Sequence, residues 1–599
     1  MKASTRILLS LSIFGVSAAS AQDISTEVVV DRTIVPVQRA ATRPQTVSPQ
    51  LLVPQAGRPG LDFTEYDSRS EFDPAIPVLH PAVHTALSPL SPYRGYAALG
   101  YYPAYNLGAS AGYRFIAGPR TSLGASLQFD GNSYHNPLFS GADGKSTSVR
   151  NNTVSAAADF SQRIGEKSRL DVDAAYTHGA RRLPDEANPE NTEHLNIAGL
   201  NARWWSSAGS VSYNVRAAYS YFGYAGERLY PTGEGVEIGL EGASEHRFRI
   251  GAGAIAPLDR HRHSWIGLEI EGDILHRGDG LRQHIDAAGS DPRPLEFILL
   301  DNPRYTTSAI IGATPYFGLN YANVNARVGL DVDISAGTTG KVVHVAPDIM
   351  LDWNPSKQLA VYATFTGGES FNTLRGLYED NPFAPAAFSF ANSYAPVKAR
   401  AGINVGPFYG ATAEIYGGYE NVRDMPMPAL VDGATVGYNT PRRFTLGRYA
   451  AYMPVDISGW YAGVRLGYSW RDLLKVGAGV EVLPHSYASA TTANPDRAAY
   501  VATASLVVRP LERLTIDLGY ELRAGRRYYG LARTPVGNIG HSEVRMRNVS
   551  MLDAGARYAV TPAFTVFATL ENLLCRQVEL FPLLPSQRMH GLVGVELKF

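Results

Sequence analysis

From residue 93 onward, apolar and polar residues alternate along most of the chain. The clearest block is 324–335. Val324, Ala326, Val328, Leu330, Val332 and Ile334 fall on one face, and Asn325, Arg327, Gly329, Asp331, Asp333 and Ser335 on the other. A strand points successive side chains to opposite faces, so a period of two predicts a β-strand with one apolar and one wet side. Residues 514–523 repeat the rule, with Leu514, Ile516, Leu518, Tyr520 and Leu522 set against Thr515, Asp517, Gly519, Glu521 and Arg523. Leu170, Val172, Ala174 and Tyr176 stand likewise against Asp171, Asp173, Ala175 and Thr177.

A soluble sandwich also alternates, so the connections must discriminate. Short turns recur at Gly118-Pro119-Arg120, Gly165-Glu166-Lys167, 206–209, 257–262, 319–322, Asn354-Pro355-Ser356-Lys357, Gly406-Pro407, Arg471-Asp472, 509–512 and Thr561-Pro562. Between them lie longer polar stretches: 134–147, 180–194, 224–243, 278–306, 372–393, 424–455 and 526–543. Short turns at one rim and long loops at the other, joined by strands of roughly 10–14 residues, are the asymmetry of a transmembrane barrel. Ten hairpins, a short strand at 93–102 and a last strand at 588–599 predict an all-β, antiparallel barrel of about 22 strands, an even number with both ends on the short-turn side.

Composition supports this reading. Charged residues are 18%, Gly numbers 58, and Tyr (34) outnumbers Phe (22), a balance suited to curved strands and aromatic belts at the membrane surface. Lys+Arg 54 against Asp+Glu 55 leaves a formal net charge of -1, without the basic excess that nucleic-acid binding requires. One cysteine, Cys575, excludes an intramolecular disulfide framework and a Cys-rich metal site. No stretch holds about 18 uncharged apolar residues, so helical spans are excluded.

The first residues read as an address. Lys2 and Arg6 precede an apolar run from Ile7 to Val16, and Ala19-Ser20-Ala21 forms a small-residue cleavage site before Gln22. This predicts a signal peptide over 1–21, cut between Ala21 and Gln22. Residues 22–92 then carry Pro36, Pro44, Pro49, Pro54, Pro59, Pro74, Pro77, Pro81, Pro89 and Pro92. Proline donates no backbone hydrogen bond, so this region reads as an extended periplasmic tail or partial plug, followed by the barrel over 93–599. Ile24–Val30 is a short β-prone patch that could add to a partner's sheet edge.

The last strand alternates Val593, Val595, Leu597 and Phe599 against Gly594, Glu596 and Lys598. Because a lipid-facing charge at mid-membrane costs about 2–4 kcal/mol, Glu596 and Lys598 belong to the lumen side or the rim. Val595, Leu597 and the final Phe599 look like the outer-membrane assembly signal read by the barrel assembly machinery. The closing segment, Phe567-Ala-Thr-Leu-Glu-Asn-Leu-Leu-Cys-Arg576, Pro585-Ser-Gln-Arg588 and Gly591 to Phe599, is similar to that of TonB-dependent receptors. Asn572, Leu573, Arg588 and Phe599 carry the resemblance. It implies a barrel in the outer membrane of a Gram-negative cell that passes or binds solutes. Those receptors resemble a barrel preceded by a plug of well over one hundred residues, whereas 22–92 is short and Pro-rich. The whole therefore resembles plugless relatives of the family, as found in Bacteroidetes. Ile24–Val30 looks like a TonB box, which would make TonB or another periplasmic protein a partner; a plain β-prone tail is the other reading.

Four sequence patterns bear on chemistry. Gly108-Ala-Ser110-Ala-Gly112 matches a nucleophile elbow, but it sits inside a predicted strand with no helix after it. Gly144-Lys145-Ser146 lacks the first glycine of a phosphate loop, since position 139 is Phe139. His261 and His263 at a short turn read as rim residues. Asp171 with Asp173 and Asp331 with Asp333 are same-face carboxylate pairs that could line a cation-selective or Ca²⁺-binding interior; as plain structure they are solvated lumen residues offset by arginines such as Arg327. Asp517 and Glu521 join them as candidate lumen-facing residues. No catalytic set, cofactor site or metal site emerges, and an enzyme is not expected. The alternative to transport is a non-transporting scaffold or accessory barrel that docks other envelope proteins.

Overall fold

A computed structural model describes residues 93–599, apart from 141–145, 183–191, 226, 233–235, 242–243, 262, 279–280, 285–306, 338–341, 381–390, 432–449, 484–497, 534–538 and 582–583. The signal peptide, the cleavage pair Ala21 and Gln22, the Pro-rich tail and Ile24–Val30 lie outside the described residues, as does most of Gly144-Lys145-Ser146.

The chain forms a closed antiparallel barrel of 22 strands. They are β1 (Gly95–Tyr102), β2 (Asn106–Ala117), β3 (Thr121–Ser140), β4 (Ser146–Ile164), β5 (Ser168–Arg182), β6 (Thr192–Ala208), β7 (Val211–Ala225), β8 (Ser244–Pro257), β9 (Ser264–Arg277), β10 (Thr307–Tyr321) and β11 (Val324–Ala336). The second half comprises β12 (Val342–Ser356), β13 (Leu359–Ser370), β14 (Ser393–Phe408), β15 (Ala411–Val431), β16 (Ala450–Trp470), β17 (Leu474–Val482), β18 (Tyr500–Leu511), β19 (Leu514–Ala524), β20 (Val549–Ala559), β21 (Phe564–Glu571) and β22 (His590–Lys598). The strand count, the ten short turns and the two terminal strands agree with the alternation pattern.

The two faces follow the period of two. In β11, Val328, Leu330 and Ile334 are 53%, 47% and 46% exposed, on the outside of a closed wall. Arg327, Asp333 and Ser335 are buried on the inside. Such an apolar outer surface is unstable in water and stable in lipid, and closure leaves no strand edge unpaired in the bilayer. Closure is made by β22 against β1, from Tyr96↔Lys598 to Tyr101↔Val593. The Phe599 carbonyl accepts the amides of Arg94 and Gly95 at 2.8 and 2.7 Å, and the Phe599 ring stacks on Tyr113 with centroids 6.3 Å apart. Val595, Leu597 and Phe599 lie on the outside of this seam.

Several stretches expected to be loops are instead ordered strand. β15 continues to Val431 and pairs with β16 from Ala450, placing Pro428 opposite Tyr452. Arg527–Arg533 and Ile539–Arg545 form a hairpin whose first strand pairs in parallel with the end of β15, Ala429 opposite Tyr529. Glu227–Thr232, Val236–Glu241 and Leu281–His284 form a small sheet of their own. Beyond the rim the lipid no longer requires an apolar outer face, so polar sequence there can continue as paired strand.

Gly108-Ala-Ser110-Ala-Gly112 lies within β2. Its small residues make room for neighbours: a Cβ on Gly112 would strike the Tyr96 ring, and one on Gly108 would strike Leu592.

Candidate functional site: the lumen wall and its inward segment

The inner face is polar, and its charges are assembled into networks that span several strands. Arg327 of β11 is the centre of one. Its Nε donates to Asp348 of β12 at 2.7 Å, and its Nη1 donates to Glu269 of β9 at 2.9 Å. The guanidinium lies 3.7 Å from the centroid of the Tyr316 ring, on β10. A buried arginine needs such company, because an ion taken out of water is costly until opposite charge and hydrogen bonds replace its hydration. The Tyr316 ring occupies space above Gly267, where a Cβ would collide with it. On the same wall Arg216 pairs with Glu271, and Arg247 pairs with Asp273 at 2.5 Å.

A second network joins β13 to β17. The Tyr362 hydroxyl donates to Glu414 at 2.5 Å and accepts from Arg400 Nε at 3.3 Å. Arg465 donates to the other Glu414 oxygen at 3.3 Å, and the Tyr416 hydroxyl donates to Glu481 at 2.6 Å. The rings of Tyr362 and Tyr416 lie over Gly402 and Gly463 respectively, so glycine on one strand makes room for tyrosine on the next. Near the closing seam Arg557 pairs with Glu596 at 3.1 Å, and His590 with Glu571 at 3.1 Å.

At the long-loop end the chain between β13 and β14 turns into the barrel. A short helix, α1 (Leu374–Asp380), packs on inner-face residues of other strands. The Leu374 amide donates to Glu245 of β8 at 2.8 Å, and Arg277 of β9 donates to the Asn372 carbonyl at 2.5 Å. Phe371 joins Leu275 and Ile310 in a buried apolar cluster. Arg181 of β5 donates to the Tyr378 hydroxyl at 2.8 Å, and the Tyr378 ring contacts Phe222 and Tyr224 of β7 at 5.4 and 6.3 Å. β5 is eight strands round the wall from β13, so this segment reaches well across the lumen. Its root is fixed where Glu369 accepts from Asn392 at 2.6 Å and from His344 at 2.9 Å, and where its amide donates to Asp333 at 2.7 Å.

The candidate residues read from alternation are dispersed among these contacts. Asp171 pairs with Arg169 at 3.0 Å. Asp173 stands directly opposite Asp159 in the β4–β5 register. Asp331 accepts from Thr314 at 2.9 Å, and Asp333 holds the root of the inward segment. Asp517 covers Gly555, and Glu521 pairs with Arg523 at 2.6 Å. Arg327 closes on Glu269 and Asp348, carboxylates that the sequence pattern did not single out. Glu245, Tyr316, Tyr362, Glu414 and Tyr378 were also missed. At the short-turn rim His261 and His263 stack at 5.8 Å, and His263 Nδ1 lies 3.2 Å from the Asn320 carbonyl. Asp259 accepts the His263 and Ser264 amides and the Ser264 hydroxyl at 2.9, 2.8 and 2.7 Å. Among the described residues no group of three or more His, Cys, Asp or Glu is placed to hold a metal.

No family model matches the chain, and no curated protein sequence matches it. Solved structures do. The FrpB iron transporter of Neisseria meningitidis superposes with a TM-score of 0.59 at 12% identity, over 85% of this chain and 81% of that one. The siderophore receptor PirA of Acinetobacter baumannii gives 0.59 at 10% identity, over 85% and 80%. The copper transporter OprC gives 0.59 at 11% identity, over 84% and 80%.

The barrel has the fold of the TonB-dependent receptors. At this identity the likeness is one of architecture. The receptor-type barrel accounts for the strand number, the long loops on one rim and the outer apolar surface, which together make this an outer-membrane protein.

Proposed function

We propose that this receptor-type barrel binds a solute at its long-loop end and passes it through the lumen, with the stretch from Phe371 to Asp380 as a resident obstruction. A 22-strand barrel encloses a channel that leaks unless something fills it. The observation that carries the reading is the attachment of the stretch from Phe371 to Asp380 to β8, β9 and β5 through Glu245, Arg277 and Arg181. Charged inner networks below it would present both signs to a passing solute. Iron, siderophore and copper, the cargoes named for the similar structures, are the first solutes to try.

In this reading the barrel is a plugless relative of the receptors, and residues 22–92 are a periplasmic tail. The Ile24–Val30 patch would add to the sheet edge of TonB or another periplasmic protein. Asp171, Asp173, Arg327, Asp331, Asp333, Asp517 and Glu521 serve as lumen wall rather than as catalysts, and no enzyme activity is assigned.

The test is conductance in planar bilayers, for the full chain, for the chain lacking 22–92, and for Glu245→Gln combined with Arg181→Gln. A quiet full chain and tail deletion, with current in the double variant, would support the obstruction. Large steady current in the full chain would refute it. Current on tail deletion alone would move the obstruction to the tail. Silence in all three, with no solute bound, would leave the scaffold reading in place of transport.

A further inference from the structure

The chain enters the wall at Gly95, where β1 meets Phe599 at the short-turn rim. Upstream of that point, Asp62, Glu65, Asp67, Glu71 and Asp73 crowd into one stretch, offset only by Arg69 and interleaved with Phe63, Tyr66 and Phe72. Residues 74–92 carry no Asp, Glu, Lys or Arg, so a neutral linker of 19 residues joins the acidic stretch to the barrel. Fully extended, such a linker spans roughly 65 Å. A barrel of 22 strands, spaced about 4.8 Å apart and tilted near 40°, is roughly 45 Å across. The stretch can therefore reach any short turn.

Three neighbouring turns form a ledge that complements it: 409–410 between β14 and β15, 471–473 between β16 and β17, and 512–513 between β18 and β19. They are tied together, since the Ser469 amide donates to the Gly410 carbonyl at 2.9 Å and the Arg509 amide to the Leu473 carbonyl at 2.8 Å. The ledge is basic, with Arg471, Lys475, Arg509 and Arg513 against Asp472 and Glu512. Arg471 and Arg513 are exposed, and neither enters an ion pair among the described residues. Beside these cations Tyr409, Leu473 and Leu511 are exposed, Tyr409 fully. The ledge thus presents positive charge and apolar surface together, and residues 62–73 present the opposite charge together with three aromatic rings.

We infer that residues 62–73 dock on this ledge and hold the tail at the short-turn rim. The carboxylates pair with Arg471 and Arg513, whose planar forks suit carboxylate oxygens. The aromatic rings cover Tyr409, Leu473 and Leu511, removing their apolar surface from water. Exposed ion pairs are weak one by one, but the linker keeps the stretch at high effective concentration near the ledge, so weak contacts suffice. The docking is independent of what the lumen passes, and it leaves Ile24–Val30 beyond the docked stretch on the chain.

The test is limited trypsin digestion of the full chain folded in detergent. Cleavage after Arg69, inside the stretch, is compared with cleavage after Arg39, outside it, each rate taken relative to the same bond in the heat-unfolded chain. Docking should slow cleavage after Arg69 about tenfold or more relative to Arg39. Arg471→Gln with Arg513→Gln should bring the two rates together, as should 1 M salt, which screens exposed pairs. A tail variant with Asp62, Asp67 and Asp73 changed to Asn and Glu65 and Glu71 to Gln should do the same. It alters no barrel residue, so it keeps the test intact should heat-dependent gel migration show the arginine pair misfolded. Equal rates in the wild type would overturn the docking. Protection that survives both variants would place the stretch elsewhere and overturn the ledge. Protection that falls on dilution would make the contact one between copies, and protection lost on adding phosphatidylglycerol vesicles would give the ledge to lipid headgroups; either result overturns docking within the chain.

Discussion

Arg181 of β5 donates a 2.8 Å hydrogen bond to the hydroxyl of Tyr378, a residue 197 positions away in the chain. The Arg181 guanidinium also lies 5.1 Å from the centroid of that ring. Tyr378 is thus held both by its hydroxyl and by its face. Tyr378→Phe removes only the first and should loosen α1 by about 1.5–3 kcal/mol, the range for a hydrogen bond to a charged group. Tyr378→Ala also removes the packing on Phe222 and Tyr224 and should loosen it further. Amide exchange of residues 374–380 reads this directly: it should quicken in the order wild type, Phe, Ala, with the β5 amides unchanged. Equal exchange in all three proteins would show that this residue does not anchor the segment.

Arg327 neutralises two buried carboxylates at once, so its loss strips both of their counter-charge. Arg327→Ala should destabilise the barrel by about 3–5 kcal/mol, because Glu269 and Asp348 stay buried without their counter-charge. Replacing all three by Met, Gln and Asn removes the orphaned charge and should recover most of the loss. Urea unfolding in detergent decides it. A triple variant no more stable than Arg327→Ala would mean that packing on Tyr316, rather than charge balance, sets the cost.

Glycine at position 402 is required by the tyrosine beside it. A Cβ there would collide with the Tyr362 ring, which lies in the second network with its hydroxyl on Glu414. Gly402→Ala should cost about 1–3 kcal/mol through overpacking. Adding Tyr362→Ser should abolish that penalty on the alanine, though it carries a cost of its own. A double-mutant cycle on unfolding midpoints separates the two, and strict additivity would exclude the collision.

These sites explain why the fold was more legible than the lumen. Strand number and turns are local properties: Gly118-Pro119 and Thr561-Pro562 punctuate the chain, and Val328 or Leu518 need only the parity of their own strand to be placed outside. Arg327 meeting Glu269 depends on the tilt and stagger of strands β9 to β11, which no single strand encodes. Tyr316 and Tyr362 read as apolar in an alternation pattern, although their hydroxyls and rings belong to the polar wall. The 424–455 stretch was expected to be loop as one of the longer polar stretches between short turns, yet beyond the rim β15 continues through Pro426 and Pro428, which pair with β16. Asn572 was noticed as part of a closing motif, and the structure supplies its physical role.

At the short-turn rim, the Asp259 carboxyl is pulled down to about 2 by the Ser264 hydroxyl, with the His263 and Ser264 amides adding to it. A carboxyl lowered in the folded state contributes stability above its unfolded value near 3.9, and loses it as the pH falls through the folded value. The turn between β8 and β9 should therefore hold unchanged from pH 7 to about 5 and loosen progressively toward pH 2. Asp259→Asn should exchange the His263 and Ser264 amides faster than wild type at pH 6, with the two proteins converging near pH 2. A gap that persists at pH 2 would assign the effect to shape rather than charge.

Asn572 closes the last long loop by hydrogen-bonding both of its arms. It is buried at 2% exposure in the left-handed region, with φ of 52°. Its side-chain amide donates to the Arg576 carbonyl at 2.8 Å and the Gln587 carbonyl at 3.0 Å, and its own amide donates to Asp553 at 2.9 Å. Few residues tolerate that backbone, and asparagine is one that also supplies two donors. Asn572→Gly keeps the conformation and loses the donors; Asn572→Ala loses both. The glycine variant should cost about 1–3 kcal/mol, mainly from the loss of the two side-chain hydrogen bonds to Arg576 and Gln587, and the alanine variant about 1 kcal/mol more from backbone strain. Because the loop joins β21 to the closing strand, the loss should appear as slower barrel assembly as well as lower stability, read by the rate at which the heat-resistant form accumulates during refolding. Alanine and glycine variants that assemble at the same rate would show that the donors matter and the backbone conformation does not.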